Sequence, residues 1–382
     1  MKIVRTSSAA RRLVAATGVA GLALTMAACG GSSGDSTTSA SAGGSASSGG
    51  STASAASGEK VGVTLITKDS TNPFFVAMQN GAKADAEKNN VSLTVASGKQ
   101  EGDDAGQITA IEDAVARGDK GILITPMSDG VNAAIKSARD AGLYVIALDT
   151  PPDPADTVDI TFATDNRLAG QLIGKWASAQ LDGQKATIAL LDLFNDKIVS
   201  VDYNRDQGFL EGMGIDVKDG KKNGDEEATG KYTGGKGGDY EIICNEPSNG
   251  AEDGGRTAME NCLSKNDGIN VVYTINEPAA VGANAALQAA GKKAIIVSVD
   301  GGCAGVKSVT DGVIGATAQQ YPLKMATMGM EAIATIARGG EKPKTSDGLD
   351  FFNTGVALVT DKPVDGLESI TSAEGAKICW GN

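Results

Sequence analysis

Carboxylate and guanidinium side chains beside apolar segments are the first candidates for chemistry in this sequence. Asp149 and Asp300 each follow an apolar run, and a carboxylate can accept hydrogen bonds from two adjacent hydroxyl groups. Arg205 lies early in a predicted helix, where a cation opposes the helix dipole, so we expect another group to hold it. Taken singly, either carboxylate also suits a helix cap or a turn, and Arg205 also suits an exposed ion pair with Asp202 or Asp206.

The segment Asn72-Pro73-Phe74-Phe75 combines a helix start with two adjacent aromatic rings. Asn72 can cap a helix that begins at Pro73, since proline suits the first helical position. Adjacent residues do not share one helix face, so we expect one ring to project towards solvent or a ligand. A projecting ring would suit the apolar C–H face of a sugar, whereas the alternative is core packing at a helix start.

The composition excludes several chemistries, because the chain contains no histidine. This absence removes Ser-His-Asp nucleophiles, histidine zinc sites and histidine proton shuttles. Residues 230–236 match the start of a phosphate-binding loop, but Gly237 stands where Ser or Thr is required. We expect no metal and no cofactor. Asp149 and Asp300 as a carboxylate pair leave a glycoside-processing enzyme open as an alternative.

The first 28 residues have the pattern of an export signal. Four basic residues and no acidic residue accompany an apolar stretch at 13–28, which is short for a membrane span. The ending Thr25-Met26-Ala27-Ala28-Cys29 resembles a bacterial lipobox, so we predict a lipoprotein signal peptide over 1–28 and lipidation of Cys29. An ordinary signal peptide with a chance cysteine is the alternative, and either Sec or twin-arginine export suits the basic residues.

Residues 29–58 are predicted to form a flexible tether to the outer face of the cell membrane. After Cys29 they contain only Gly, Ser, Thr and Ala apart from Asp35, and as a coil they would span about 30 Å. Loss of the four basic residues of the signal would take the net charge from −13 to −17. Such an acidic chain is not expected to bind nucleic acid through phosphates.

Four cysteines remain after Cys29, an even number that predicts two disulfides in an exported protein. Three pairings are formally open. Cys244 with Cys262 is the local choice, between a predicted strand and the next helix, and Cys303 with Cys379 would then hold the C-terminal tail. A metal site is the alternative, but the chain has no Cys-x-x-Cys spacing.

The elements that position these residues alternate between strands and helices from residue 60 onwards. Strands are predicted at 61–67, 91–96, 121–125, 143–148, 159–163, 186–191, 240–244, 271–275, 294–299, 313–318 and near 351–359. Helices are predicted at 73–89, 103–117, 129–141, 200–213, 251–264, 277–290, 304–311 and 322–338, and an irregular surface segment at 215–239. The alternation predicts an α/β fold in two halves, each a parallel sheet with helices on both faces.

Polar residues cluster at the carboxyl ends of these strands, where open parallel sheets bind ligands. They are Lys68, Asp69 and Asn72 after the first strand, Asp149 after the fourth, and Asn276, Asp300, Gln319 and Gln320 in the second half.

These motifs together resemble the type I periplasmic sugar-binding proteins, the ribose-binding-like receptors of ABC importers. The resemblance covers about residues 60–360 and rests on the Asn-Pro-Phe-Phe motif, the run 298–301, and single polar residues. Segments 202–208 and 273–278 resemble the fructose-binding branch most. The family implies a monosaccharide ligand held by Lys68, Asn72, Phe74, Phe75, Asp149, Arg205, Asn276, Asp300 and Gln320.

The resemblance also implies two lobes joined by three crossovers, near 164–165, 320–321 and 355–356. The N-terminal lobe would contain 59–164 and 321–355, and the C-terminal lobe 165–320 and 356–382. Two departures point away from ribose: Asp149 is followed by Thr150 instead of arginine, and no aromatic residue stands near 249–250. Phe194 is a candidate for the missing ring.

The sequence therefore predicts a lipid-anchored, monomeric receptor that is not an enzyme. It would bind a fructose-like monosaccharide and deliver it to the permease subunits of an ABC importer, which recognise the closed form. A sugar-sensing receptor that feeds a signalling partner is the second hypothesis, and the glycoside-processing enzyme is the third.

Overall fold

The structure, a computed structural model, describes residues 59–381 of the 382-residue chain. The predicted signal peptide, Cys29 and the tether therefore lie outside the described residues. None of the helices in the described part combines the length and the apolar character that a membrane span requires.

The strands, numbered along the chain, alternate with the helices. They are β1 (Val61–Thr67), β2 (Val91–Ser97), β3 (Gly121–Ile124), β4 (Tyr144–Leu148), β5 (Ile160–Ala163), β6 (Ala186–Asp192), β7 (Thr229–Tyr232), β8 (Gly238–Pro247), β9 (Val271–Thr274), β10 (Ile295–Asp300), β11 (Ala316–Gln319), β12 (Phe352–Asn353) and β13 (Ala357–Val359).

The α-helices lie between these strands. They are α1 (Pro73–Ala86), α2 (Asp104–Arg117), α3 (Asn132–Asp140), α4 (Asn166–Leu181), α5 (Ser200–Met213), α6 (Glu252–Lys265), α7 (Glu277–Ala289), α8 (Cys303–Thr310), α9 (Pro322–Ala337) and α10 (Ser372–Gly375). Short 3₁₀ turns precede α3 and β5, at Asp129–Val131 and Ala155–Thr157.

The strands form two sheets, one in each lobe. The first has the order β12-β5-β4-β3-β1-β2 and is wholly parallel, and the second has the order β13-β11-β10-β9-β6-β8-β7. In the second sheet only the edge strands β13 and β7 run antiparallel to their neighbours. Central strands such as β3 and β4 are buried along their whole length, which is why they are continuous apolar runs.

Helices cover both faces of each sheet, and this arrangement confirms the predicted fold class. In the first lobe α1 and α9 pack on one face and α2 and α3 on the other. In the second lobe α4 and α5 pack on one face and α6 and α7 on the other. The chain crosses between the lobes three times, before α4, before α9 and between β12 and β13.

Three predicted elements differ from the structure. No helix was expected between β5 and β6, yet α4 occupies that span. The helix α4 contains small residues because it packs closely on α5: a Cβ added at Gly170 would lie 2.2 Å from the carbonyl oxygen of Arg205. These small residues weaken the apolar periodicity that would otherwise indicate a helix. The segment 215–239 is not wholly irregular, since it contains the exposed edge strand β7. The strand expected near 351–359 is two short strands in different sheets.

The structure forms both predicted disulfides. Cys244 at β8 is bonded to Cys262 on α6, with 5.6 Å between Cα atoms. Cys303 at the start of α8 is bonded to Cys379 in the tail, with 4.9 Å between Cα atoms. The second bond holds the tail beside the crossovers, where the indole N–H of Trp380 donates to the carbonyl oxygen of Gln320 at 2.8 Å.

Candidate functional site

One cavity between the two sheets brings the nine predicted ligand residues together. Its empty volume is about 400 Å³, part of it open to solvent. Most of the lining comes from residues that follow β1, β4, β9 and β11, from the end of β10, and from the N-terminal halves of α1 and α5. The nine residues are Lys68, Asn72, Phe74, Phe75, Asp149, Arg205, Asn276, Asp300 and Gln320.

The Asn-Pro-Phe-Phe motif forms the aromatic wall of this cavity. Asn72 caps α1 by accepting the N–H of Phe74 at 3.0 Å, and Asp69 fixes the preceding turn by accepting the N–H of Thr71 at 2.6 Å. Phe74 and Phe75 meet edge to face at 5.4 Å and are both buried. One ring was expected to project towards solvent or a ligand; in the structure both rings line the cavity, and both also pack in the core of the first lobe.

Phe74 is held from behind by Trp380, whose ring lies 5.3 Å away at 80°. The tail of the second lobe therefore supports an aromatic wall that belongs to the first lobe.

Arg205 is the central cation of the site. Its Nε donates to Asn166 Oδ1 at 2.8 Å and its Nη1 donates to the carbonyl oxygen of Ile275 at 2.9 Å. Its guanidinium lies 3.9 Å from Asp149 Oδ1 and 4.0 Å from Asp300 Oδ1. The side chain is buried, so the alternative of an exposed ion pair with Asp202 or Asp206 is wrong.

Asp149 presents a free acceptor to the cavity. Thr150 Oγ1 donates to its Oδ2 at 2.8 Å, whereas its buried Oδ1 has no hydrogen-bond partner. Its backbone has φ of 66°, a left-handed conformation that aspartate tolerates better than most residues. A buried carboxylate oxygen without a donor is a position at which a ligand hydroxyl would be stabilised.

Asp300 is oriented by its neighbours and by burial. Gln320 Nε2 donates to its Oδ1 at 2.9 Å and the N–H of Glu277 donates to its Oδ2 at 3.3 Å. Burial raises the pKa of Asp300 to about 6, and the nearby Arg205 opposes this shift. Gln320 also accepts from Thr164 Oγ1, so one amide links two crossovers to the site.

Asn276 uses both ends of its amide within the protein. Its Oδ1 accepts the N–H of Ala279 and caps α7, and its Nδ2 donates to the carbonyl oxygen of Gly250. Asn276 therefore borders the cavity and positions Gly250, which lines the cavity as well.

The structure adds lining residues that the sequence analysis did not single out: Glu101, Leu193, Val201, Gly250 and Ile275. Glu101 is the most consequential, because its carboxylate lies 3.1 Å from Lys68 Nζ and both side chains are largely buried. Burial raises the pKa of Glu101, and the positive charge of Lys68 only partly offsets this rise. Glu101 lies in a loop, so no strand-end pattern marks it. Phe194 does not line this cavity, and Leu193 lies there in its place.

Two strand-end residues of the earlier group have other roles. Asp69 holds the turn before α1, and Gln319 donates to the carbonyl oxygens of Gly301 and Gly375. The polar and aromatic side chains of the cavity lining are two cations, three carboxylates, three amides and two aromatic rings. This set can donate to hydroxyl oxygens, accept from hydroxyl hydrogens, and pack against an apolar face.

The sequence matches the family described as "periplasmic binding protein domain" over residues 62–342, which is most of the chain. The chain belongs to this family. This periplasmic binding protein is 29% identical, over 279 residues, to the ribose import binding protein RbsB of Salmonella typhimurium. That match covers 72% of this chain and 85% of the relative.

Solved structures of similar proteins share the fold. A galactofuranose-binding protein superposes with a TM-score of 0.65 at 25% identity, covering 78% of this chain and 94% of that protein. A solute-binding protein from Actinobacillus succinogenes with bound D-allose superposes with a TM-score of 0.64 at 22% identity, covering 79% and 98%. The predicted membership of the type I sugar-binding proteins is confirmed, and the fructose-binding branch stays a prediction.

Proposed function

We propose that this periplasmic binding protein is the extracytoplasmic sugar-binding component of an ABC importer. It binds one monosaccharide between its lobes and delivers it to the permease subunits. The family supports this role, as do relatives named for binding ribose and galactofuranose. The ligand contacts are assigned to the nine lining residues and Glu101.

The observation that carries the proposal is the arrangement around Arg205. Two carboxylates from different lobes, Asp149 and Asp300, flank one buried guanidinium, and Asp149 Oδ1 has no partner of its own. Charged groups held in a buried cavity form strong hydrogen bonds to hydroxyls. The Phe74 and Phe75 rings supply an apolar wall of the kind on which a sugar ring packs.

A fructose-like sugar is the specific ligand that we propose. Thr150 donates to Asp149 where the ribose-binding pattern has an arginine, and Gly250 stands in the wall where that pattern has an aromatic ring. A Cβ added at Gly250 would lie 3.1 Å from Leu193 Cδ1 and from Asn276 Nδ2, so these two side chains occupy the space beside it. The absence of the ring on which ribose would stack favours a ligand other than ribose.

The lobes are assigned as 59–164 with 321–355 and 165–320 with 356–382. Lys197 on the second lobe donates to the carbonyl oxygen of Gly102 on the first at 2.8 Å, and Lys221 pairs with Asp153 at 2.6 Å. These bonds cross the cleft, and they support a closed form that the permease would recognise. We further propose that lipidated Cys29 anchors a monomer to the outer face of the cell membrane.

Calorimetry of the mature protein against a panel of monosaccharides tests the proposal. One sugar should bind tightly, and at 100 times its Kd it should add about 2.7 kcal/mol to the free energy of unfolding. Mass spectrometry of the incubated sugar should show it unchanged. A sugar converted to product would favour the glycoside-processing enzyme, and binding of no sugar in the panel would contradict the proposal.

A further inference from the structure

One buried acidic residue of the second lobe, Glu277, lies behind the wall of the sugar cavity. It is the first residue of α7 and directly follows Asn276. It is buried, yet it is not among the residues that line the cavity. Its backbone N–H donates to Asp300 Oδ2 at 3.3 Å, and its carboxyl group accepts from the turn 300–302 that follows β10. Glu277 therefore contacts both the side chain of Asp300 and the backbone next to it.

Three donors converge on the carboxyl group of Glu277. The N–H of Gly301 and Oγ1 of Thr317 both donate to Oε1 at 2.8 Å, and the N–H of Gly302 donates to Oε2 at 3.1 Å. Two of these donors are buried backbone groups of the turn 300–302. Without the carboxyl group they would lose their acceptor, which is unfavourable for a buried N–H.

The turn 300–302 depends on such contacts because its backbone conformation is unusual. Asp300 has φ of 148° and Gly301 has φ of 70°, and a positive φ is rare for a residue with a side chain. On the other side of the turn, Gln319 Nε2 donates to the carbonyl oxygen of Gly301 at 2.9 Å. Glu277 and Gln319 together hold the turn in the conformation that places Asp300 opposite Arg205.

The first turn of α8 leaves the space that this carboxyl group occupies. Gly305 lies on α8, and a Cβ added there would lie 1.8 Å from Glu277 Cδ. A side chain at position 305 would therefore push the carboxyl group away from the turn 300–302. The position of the Glu277 carboxyl group is set by α8 as well as by α7.

The same turn also reaches the aromatic wall of the cavity. Gly302 forms a β-bridge with Trp380, and the N–H of Cys303 donates to the carbonyl oxygen of Trp380 at 2.9 Å. Trp380 in turn packs edge to face on Phe74. The turn 300–302 thus supports Asp300 on the polar side of the cavity and Phe74 on the aromatic side.

The hydrogen bonds to Glu277 do not depend on one protonation state. Burial, and after it the charge of Asp300, raise the pKa of Glu277 to about 8, and the three donors oppose this rise. When Oε2 carries the proton, Oε1 can still accept both of its hydrogen bonds and Oε2 keeps acceptor capacity for Gly302. Glu277 can therefore hold the turn on both sides of its pKa.

We infer that Glu277 is a positioning residue for sugar binding, which holds the turn 300–302 so that Asp300 and Trp380 are correctly placed at the cavity. The inference rests on the proposed function, because that function makes Asp300 a ligand of the sugar. The sequence does not mark this role, since an acidic residue in the first turn of α7 also suits the helix dipole.

Calorimetry of Glu277 variants, with the panel sugar that the wild-type protein binds most tightly, tests this role. Glu277→Ala should raise Kd by roughly tenfold or more, because two buried N–H groups lose their acceptor and the turn relaxes. Glu277→Gln should recover most of the affinity, because its amide oxygen can still accept from Gly301 and Thr317. Gly305→Ala leaves Glu277 in the chain but displaces its carboxyl group, so it should weaken binding as Glu277→Ala does.

The fluorescence of Trp380 measures the turn directly and requires no sugar. The chain has two tryptophans, so Trp176→Phe leaves Trp380 as the only one. In this background Glu277→Ala should shift the emission to longer wavelength, because the ring loses its support from the turn 300–302. Glu277→Gln should shift it less. A role in stability alone would leave the emission of the folded protein unchanged.

Two matched controls lie on α1, away from the turn 300–302. Asp85→Asn alters another buried carboxylate, and Gly81→Ala adds a methyl group that meets Leu323 at an ordinary contact distance of 3.4 Å. Both should leave Kd and the Trp380 emission unchanged.

If Glu277→Ala fails to fold, Gly305→Ala decides the outcome. A Kd within about twofold of wild type in the folded variants, with unchanged Trp380 emission, would overturn the positioning role. A wild-type protein that binds no sugar of the panel would instead contradict the proposed function, and the emission would still report whether Glu277 holds the turn.

Discussion

At the residue scale, the site depends on charged groups that are buried and only partly satisfied within the protein. Arg205 donates hydrogen bonds to Asn166 and to the carbonyl oxygen of Ile275, and these bonds fix the orientation of the guanidinium. The guanidinium lies about 4 Å from Asp149 and from Asp300. At that separation direct hydrogen bonds are weak, so the facing atoms remain available to a ligand.

Replacing Arg205 or Asp300 by alanine should sharply reduce sugar affinity. Truncating a buried charged partner costs about 2–5 kcal/mol, which corresponds to roughly a 30- to 4000-fold increase in Kd. Calorimetry with the best sugar of the panel measures the change, and circular dichroism checks the fold. The control is Arg256→Ala, which removes an exposed pair with Glu260 and should change Kd little. A loss below tenfold in both site variants would mean that the sugar binds elsewhere.

Sugar affinity should fall as the medium becomes acidic. The pKa of Asp300 is raised to about 6 without ligand, and the proposed ligand contacts require its ionised form as acceptor. Protonation therefore competes with binding, and Kd should rise by about tenfold between pH 7 and pH 5. In Asp300→Asn the affinity should be low and flat across this range. An unchanged wild-type Kd down to pH 5 would remove Asp300 from the ligand contacts.

At the scale of elements, the C-terminal tail is a structural part of the site. The Cys303–Cys379 bond fixes the tail next to Trp380, which donates to Gln320 and packs edge to face on Phe74. The Cys244–Cys262 bond, in contrast, joins β8 to α6 on the outer side of the second lobe.

Removing the two disulfides should therefore have different consequences. Replacing Cys303 and Cys379 by alanine should lower stability by about 4.5 kcal/mol in the loop-entropy description and should also weaken sugar binding. Replacing Cys244 and Cys262 is the matched control, with a loss of about 3 kcal/mol and unchanged affinity. Denaturant unfolding and calorimetry measure the two quantities. Equal losses of affinity in both variants would contradict a specific role for the tail.

At the scale of the whole molecule, polar bonds across the cleft hold the lobes together at its rim. Lys197 reaches Gly102 and lies 3.7 Å from Asp104, and Lys221 reaches Asp153. Ser200 at the start of α5 also donates to the carbonyl oxygen of Pro151. These contacts contribute only to the closed form, so they bias the equilibrium between open and closed lobes.

The double variant Lys197→Ala, Lys221→Ala should shift this equilibrium towards the open form. Pairs of this kind contribute about 0–1 kcal/mol each, so removal of both should raise Kd by roughly 30-fold or less. Small-angle scattering without sugar should show a larger radius of gyration than for wild type. Lys231→Ala, which breaks an exposed pair within one lobe, is the control. Identical scattering of the double variant and wild type would contradict this role.

Membrane attachment should depend on Cys29 alone. Cys29→Ala should release the protein from membranes without unfolding it, because residues 30–58 contain no large apolar side chain that could pack in a hydrophobic core. Membrane fractionation and circular dichroism measure the two properties. Processing that is insensitive to globomycin, together with unchanged membrane retention of this variant, would rule out the lipid anchor.

The amino-acid sequence by itself determined the fold class, most strands and helices, and nine of the fourteen residues around the cavity. The carboxyl ends of parallel strands lie at a common edge of the sheet, so Lys68, Asp149 and Asp300 are brought to the ligand-binding edge independently of loop conformation. It also favoured the disulfide pairing Cys244–Cys262 over the two other pairings, since the two cysteines lie in consecutive elements of one α/β unit, β8 and α6.

Only the tertiary structure decided how these residues are used. Glu101 reaches the site from a loop. The small residues of α4 are explained only by the close approach of this helix to α5, which larger side chains would prevent. The hydrogen bonds from the turn 300–302 to Glu277 likewise become visible only when the fold is known. Periodicity reports which face of an element is apolar, whereas close approach, desolvation and the pairing of charges depend on residues distant along the chain.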